Sequence, residues 1–168
     1  IARGHIKTDG GLRETNFAYG ESVVLSLWDF YVLAARNGYP LSPGFAERLL
    51  QTTRFFLRLM TPQAASPVFG DGWVGDTHLT AVAAIATALT GDRECKWFAE
   101  YGRQRRPAPL PETPGQIPEC TFWSVGLEGA ATYAGTRPRR PRCTSVLMGS
   151  TGYAAMRTAF APDARYLA

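Results

Sequence analysis

Apolar residues recur at helical spacing along five stretches of the chain, and near residue 143 the pattern changes to the alternation expected of strands. The first stretch, about Gly20 to Asn37, sets Val23, Leu27, Phe30, Tyr31 and Ala34 on one stripe, while Val24, Leu25, Trp28 and Val32 leave little polar surface elsewhere. It predicts a helix buried on most faces. Asn37-Gly38 supplies a left-handed stop, and Ser42-Pro43 supplies an N-cap followed by proline at the first helical position. A second helix is therefore expected from about Pro43 to Met60, antiparallel to the first because the connection is short. It turns Phe45, Leu49, Thr53, Phe56 and Met60 inward and Arg48, Arg54 and Arg58 to solvent, as a one-sided outer helix does.

Thr61 to Gly75 is rich in Pro and Gly and reads as a loop, after which Asp76 is placed to cap a third helix ending at Thr90-Gly91. Leu79, Val82, Ala83, Ile85, Ala86 and Leu89 make that helix small and apolar enough for close packing. Asp92 is the expected cap of a fourth helix running to about Arg103. Gln104 to Pro118 carries too many prolines for regular structure, and a fifth helix follows from about Phe122 to Tyr133. Beyond the basic, proline-broken segment Thr136 to Arg142, Thr144 to Met148 and Tyr153 to Thr158 read as strands joined by a Gly149-Ser150-Thr151-Gly152 turn. Asp163 to Ala168 reads as a turn entering one more strand. Helices followed by strands predict a mostly α chain in two parts, 1–135 and 144–168, with a linker at 136–143.

Composition narrows the function classes. The 45% hydrophobic content of 168 residues is ample for a packed core, and 18 Lys and Arg against 14 Asp and Glu leave a net charge of +4 that suits an acidic ligand. No nucleic-acid-binding motif accompanies that charge, so nucleic acid is not an expected partner. No apolar run reaches membrane-spanning length, so no membrane partner is expected either. Cys95, Cys120 and Cys143 are odd in number and far apart, which allows at most one internal disulfide and indicates no metal site. No cofactor is implied. The chain begins at Ile1 without a signal segment and is expected to be a piece of a longer protein; nothing in it bears on oligomeric state.

The chemistry is concentrated between Asp9 and Glu21. Asp9-Gly10-Gly11 is a turn signal that delivers a polar loop to the start of the first helix, so Tyr19 is expected near a helix N-terminus, where backbone N–H groups favour negative charge. Tyr19 reads either as a reactive phenol or as a capping aromatic. Asn16 reads either as a donor to a ligand's carboxylate or hydroxyl or as a turn residue, and Glu14 either as a hydroxyl binder or as a cap or salt-bridge partner. Trp73 reads either as a platform for a sugar ring or as a loop aromatic closing over helix ends. His5 and His78 are assigned no role, because Asp76 and His78 do not face one another at their spacing.

The Asp9-Gly10-Gly11, Glu14, Tyr19 spacing, followed by the apolar helix closing on Ala35-Arg36-Asn37-Gly38, resembles the heparinase II/III-like polysaccharide lyases. Pro67-Val68-Phe69-Gly70-Asp71-Gly72 resembles that family's Gly-Asp loop, and Ser150 to Arg157 with Pro162 to Leu167 resembles the opening of its β-sandwich. The resemblance implies an incomplete (α/α) toroid of antiparallel helical hairpins leading into the first strands of an antiparallel β-sandwich. It implies an acidic polysaccharide partner, a periplasmic or secreted location, and β-elimination on a uronic acid with Tyr19 as general base and acid. Arg13, Glu14, Asn16 and Trp73 would bind substrate.

An ordinary tyrosine has a pKa near ~10, so its use as a base requires a nearby cation or donor, and Arg13 and the helix N-terminus are the local candidates. Many relatives have His directly after this Tyr, where this chain has Gly20. The family's Asn-His pair lies upstream of this motif and a further His beyond Ala168, so the chain by itself is expected to be inactive. Two other readings remain: a carbohydrate-binding or scaffold relative without catalysis, and a toroidal glycoside hydrolase, for which no persuasive pair of carboxylates is found.

Overall fold

The structure, a computed structural model, describes residues 2–14, 16–69, 78–105 and 116–168. Among these, a one-turn helix α1 (Ala2–His5) precedes the longer helices α2 (Phe17–Arg36), α3 (Phe45–Leu59), α4 (Leu79–Thr90), α5 (Arg93–Arg105) and α6 (Glu119–Gly135). Three short strands follow: β1 (Val146–Met148), β2 (Tyr153–Arg157) and β3 (Tyr166–Leu167). They form an antiparallel sheet in chain order, with Val146 opposite Ala155 and Arg157 opposite Tyr166. Mostly helical structure passing into an antiparallel sheet is the expected class.

Element boundaries move for local reasons. Residues 1–19, expected as loop, contain α1 and a tight reversal in which Ile6 and Leu12 pair as a single antiparallel bridge and both enter the core. Asn16 caps α2, its Oδ1 accepting the Tyr19 N–H at 3.2 Å, so the helix starts at Phe17 rather than at Gly20. Ser42 does not cap α3. Gly44 holds the cap position at φ 76 with no side-chain bond, and Pro43 lies outside the helix. α4 starts at Leu79 with His78 in the cap position, and Asp76 lies outside the described residues. Asp92 does cap α5, accepting the Cys95 N–H at 2.7 Å. Gly126, at φ 69 and ψ −164, kinks α6 in a conformation that an L side chain rarely adopts. The proline-rich stretch is described only at its ends, and α5 runs two residues past the expected Arg103.

α3 is not a one-sided outer helix. Leu49, Thr52, Phe55, Phe56, Leu57 and Leu59 are buried around most of its girth, because it packs on α2, α4 and α5 and also on β1 and β2. Its arginines do not simply face water: Arg58 makes a two-point pair with Glu94, Nε to Oε1 at 2.8 Å and NH2 to Oε2 at 3.2 Å, and Arg54 pairs with Asp92. The sheet covers the same, C-terminal end of the helix. Buried Arg157 donates to the Arg58 carbonyl and Tyr166 to the Leu59 carbonyl, both at 2.6 Å, so acceptors left open at the α3 C-terminus are filled from β2 and β3.

α4 lies at the centre of the helical layer, with Leu79, Val82, Ala83, Ile85 and Ala86 at or near zero exposure. Gly129 on α6 faces it, where an added Cβ would lie 3.5 Å from the Cβ of Ala88. α2 is buried on one side only. Phe17, Gly20, Val24, Trp28 and Val32 face inward, whereas Val23, Phe30 and Leu33 are 43%, 51% and 61% exposed. Trp28 sets this orientation by donating from Nε1 to the buried Thr53 hydroxyl on α3 at 2.9 Å.

Ile85→Ala, which empties a fully packed position, is expected to lower unfolding free energy by about 3 kcal/mol in denaturant titration. Leu33→Ala, at the exposed stripe, should change it by less than about 0.5 kcal/mol. Equal effects would contradict the assignment of inner and outer faces.

Candidate functional site

The Thr8–Gly11 turn lies directly on α3. Gly10 has φ 93, and a Cβ there would fall 2.6 Å from the Gln51 carbonyl oxygen. Gly11 needs no positive φ; it is required by close approach, since a Cβ would sit 2.9 Å from the Phe55 ring and collide with Thr151. The turn closes on itself through Lys7 N–H to the Gly11 carbonyl at 2.7 Å, and Gln51 Nε2 donates to the Thr8 carbonyl.

Asp9 joins this turn to the β1–β2 turn. Its Oδ1 accepts the Gly11 N–H at 3.1 Å, while Oδ2 accepts the Ser150 N–H at 2.9 Å, the Thr151 N–H at 2.7 Å and the Thr151 hydroxyl at 2.9 Å. The Thr8 and Ser150 hydroxyls are also hydrogen-bonded. Partial burial pushes the Asp9 carboxyl up, but the bonds from Gly11, Thr151 and Ser150 together hold it below its ordinary value of 3.8. Residues far apart in the chain thus form one polar edge where the helices meet the sheet.

The polar loop rises from this edge. The Arg13 N–H donates to the His5 carbonyl at 3.0 Å, and its side chain is exposed. Glu14 is exposed as well, its Oε1 accepting the Asn16 N–H at 3.0 Å. Asn16 is only 3% exposed, and its Oδ1 is engaged as the α2 cap on the Tyr19 N–H. Tyr19 is 50% exposed in the first turn of α2. The structure therefore brings Arg13, Glu14, Asn16 and Tyr19 onto one loop and helix start. Trp73 lies outside the described residues.

Two residues enter the site without having been singled out in the sequence. Tyr153 follows the β1–β2 turn, packs its half-buried ring 4.7 Å from that of Phe69, and has its pKa raised by burial and by the charge of Glu14. Its position directly after Thr151-Gly152 was a usable signal, but the alternation of a strand does not say which loop it meets. Glu21 is buried on α2, where its Oε2 accepts the His78 N–H at 3.1 Å and its Oε1 accepts the Ser66 hydroxyl. It fixes both described edges of the loop before α4. An acid at the start of an otherwise apolar helical stretch was the available signal.

Gly20 is buried against α3, and a Cβ would come within 2.8 Å of the Phe56 ring edge and closer still to its tip. No larger residue fits at position 20 without displacing Phe56, which is itself held edge-on to Phe17 at 4.7 Å. Among the described residues no three His, Cys, Asp or Glu converge as a metal site, and no helix is long and apolar enough to cross a membrane. All three cysteines are free, and burial raises the Cys95 thiol well above its ordinary range.

Because the Asp9 pKa is depressed in the folded state, the carboxylate contributes stability above about pH 3.8, and this is lost as pH falls through the folded value. Asp9→Asn should therefore melt earlier than the parent protein at pH 7, and the difference should shrink below pH 3.8. A gap unchanged down to pH 2 would refute the ionised clamp.

No family model and no curated protein sequence matches the chain. Among solved structures, a heparan sulfate lyase HepC mutant from Pedobacter heparinus superimposes on 98% of the chain with a TM-score of 0.69 and 15% sequence identity. The chain spans about a fifth of that protein, 21% of its length. The likeness is one of fold: antiparallel helical hairpins of an incomplete (α/α) toroid running into antiparallel strands.

Proposed function

We propose that this chain is part of a polysaccharide lyase that cleaves a uronic-acid-containing glycan by β-elimination, with Tyr19 in the chemistry. The observation that carries the reading is the half-exposed Tyr19 in the first turn of α2, which Asn16 caps, on the stretch of chain that follows the turn Asp9 clamps to the sheet. The fold likeness to a heparan sulfate lyase supports it.

In this reaction a base removes the C5 proton of the uronate, the C5–H electron pair becomes the C4–C5 double bond, and the C4–O bond breaks. The departing oxygen takes a proton. The carboxylate next to C5 opposes the new negative charge, so a cation must face it; Arg13, exposed and six residues before Tyr19, is the local cation. Tyr19 supplies the departing oxygen with a proton and removes the C5 proton as phenolate. Glu14 and Tyr153, near enough for the Glu14 charge to raise the Tyr153 pKa, bind sugar hydroxyls as acceptor and donor. Trp73 and the β-sandwich belong to the same proposal, as does a periplasmic or secreted location.

One observation favours a second reading, a carbohydrate-binding relative without catalysis: Phe56 occupies the space in which a histidine following Tyr19 would have to start.

The test is the ultraviolet absorbance of the unsaturated uronate, measured with the natural polypeptide containing this chain on alginate, heparan sulfate, hyaluronan and chondroitin. Product is expected from at least one glycan, with Tyr19→Phe lowering the rate by about a thousandfold or more. Binding of a glycan without product from any of them would replace the lyase with the binding relative.

A further inference from the structure

The chain between Thr136 and Cys143 carries Arg137, Arg139, Arg140 and Arg142, and no Asp or Glu occurs between Glu128 and Asp163. All four arginines are exposed, and none is in an ion pair among the described residues. The segment is held rather than loose. The Arg139 N–H donates to the Arg93 carbonyl at 2.8 Å, and Arg93 Nε donates back to the Arg137 carbonyl at 3.1 Å, so the start of α5 is stitched to the segment from both sides. Arg140 lies over the Phe160 ring, 5.8 Å from its centre. Pro138 and Pro141 fix two further φ angles and bias the residues before them to extended backbone.

The carboxylates nearest in sequence to Arg93 do not cancel this charge. Asp92 is engaged by Arg54 and Glu94 by Arg58, both on α3. With Arg93, itself exposed, the strip holds five guanidinium groups, more than the chain's whole formal excess of +4. Such uncompensated forks on a held backbone suit sulfate and carboxylate groups repeated along a chain.

We infer that Arg93 and the Arg137–Arg142 segment form a binding strip for a sulfated or carboxylated polysaccharide. It is distinct from the Tyr19 loop and lies at the other end of β1 from the turn that Asp9 holds. The ligand class rests on the acidic-glycan reading, while the strip itself rests on its own geometry. It would hold a polymer at a distance from the reacting sugar and have no part in the chemistry.

The experiment measures binding of a heparin oligosaccharide by calorimetry over a range of salt concentrations. It uses the natural polypeptide and its variant carrying Arg137→Gln, Arg139→Gln, Arg140→Gln and Arg142→Gln, with neutral dextran and a single-stranded oligonucleotide of matched charge as controls. The variant should bind about tenfold more weakly and lose about three units of the slope of log K against log salt, while four Arg→Lys replacements retain the slope. Arginine-specific modification of the unaltered protein, read by mass spectrometry, should show these residues protected by heparin; this readout does not depend on the variant folding. Unchanged heparin binding in a folded variant, no protection, or equal binding of the oligonucleotide would each overturn the inference. Heparin binding through the strip with no unsaturated product from any glycan would leave it standing and remove only the lyase reading.

Discussion

α3 has to serve two surfaces at once, and the rest of the chain is arranged around that constraint. Its buried side chains meet α2, α4 and α5 on one side and the first two strands on the other. Its polar groups are divided in the same way. Arg54 and Arg58 reach acids at the start of α5, and the carbonyls of Arg58 and Leu59 receive Arg157 and Tyr166 from the sheet. A helix end buried without such donors would cost on the order of a lost hydrogen bond per carbonyl. The short sheet is docked because it completes this helix.

That docking makes a site conceivable. Gly10 and Gly11 let the N-terminal turn lie flat on α3 beside the β1–β2 turn, and the Asp9 carboxylate ties the two turns together. The loop bearing Arg13 and Glu14 then leads to the Asn16 cap, which sets the rotation at which Tyr19 leaves α2. Each of these described contacts is made by a small residue or a short polar side chain, so the start of α2 that carries Tyr19 is held by packed neighbours.

Much of this was legible in the sequence, and the failures have physical causes. The five long helices, the Asp92 cap, the turn before β2 and the reversal at Asp9 all follow from spacing and from Gly, Pro and Asp signals. The burial of α2 was misread because apolar residues occur on both of its sides, and period alone does not say which side meets a neighbour. Gly20 and Trp28 decide it, through one close approach and one buried hydrogen bond. α3 was taken for an outer helix because its arginines looked like a solvent face, when Arg54 and Arg58 are partners of acids 38 and 36 residues away. Tyr153, Glu21 and the reach of Asp9 to Thr151 are contacts between distant parts of the chain, which no local pattern encodes.

The central claim is that the reaction at Tyr19 is an elimination. It is tested most directly by digesting heparan sulfate with the natural polypeptide in water enriched in heavy oxygen and weighing the products by mass spectrometry. Elimination breaks the C4–O bond without adding water, so the account predicts, in products read before the new reducing end exchanges oxygen with solvent, an unlabelled pair of fragments whose masses sum to that of the starting glycan. Heavy oxygen in the new reducing end, with fragments heavier than the substrate by one water, would show hydrolysis and contradict the account.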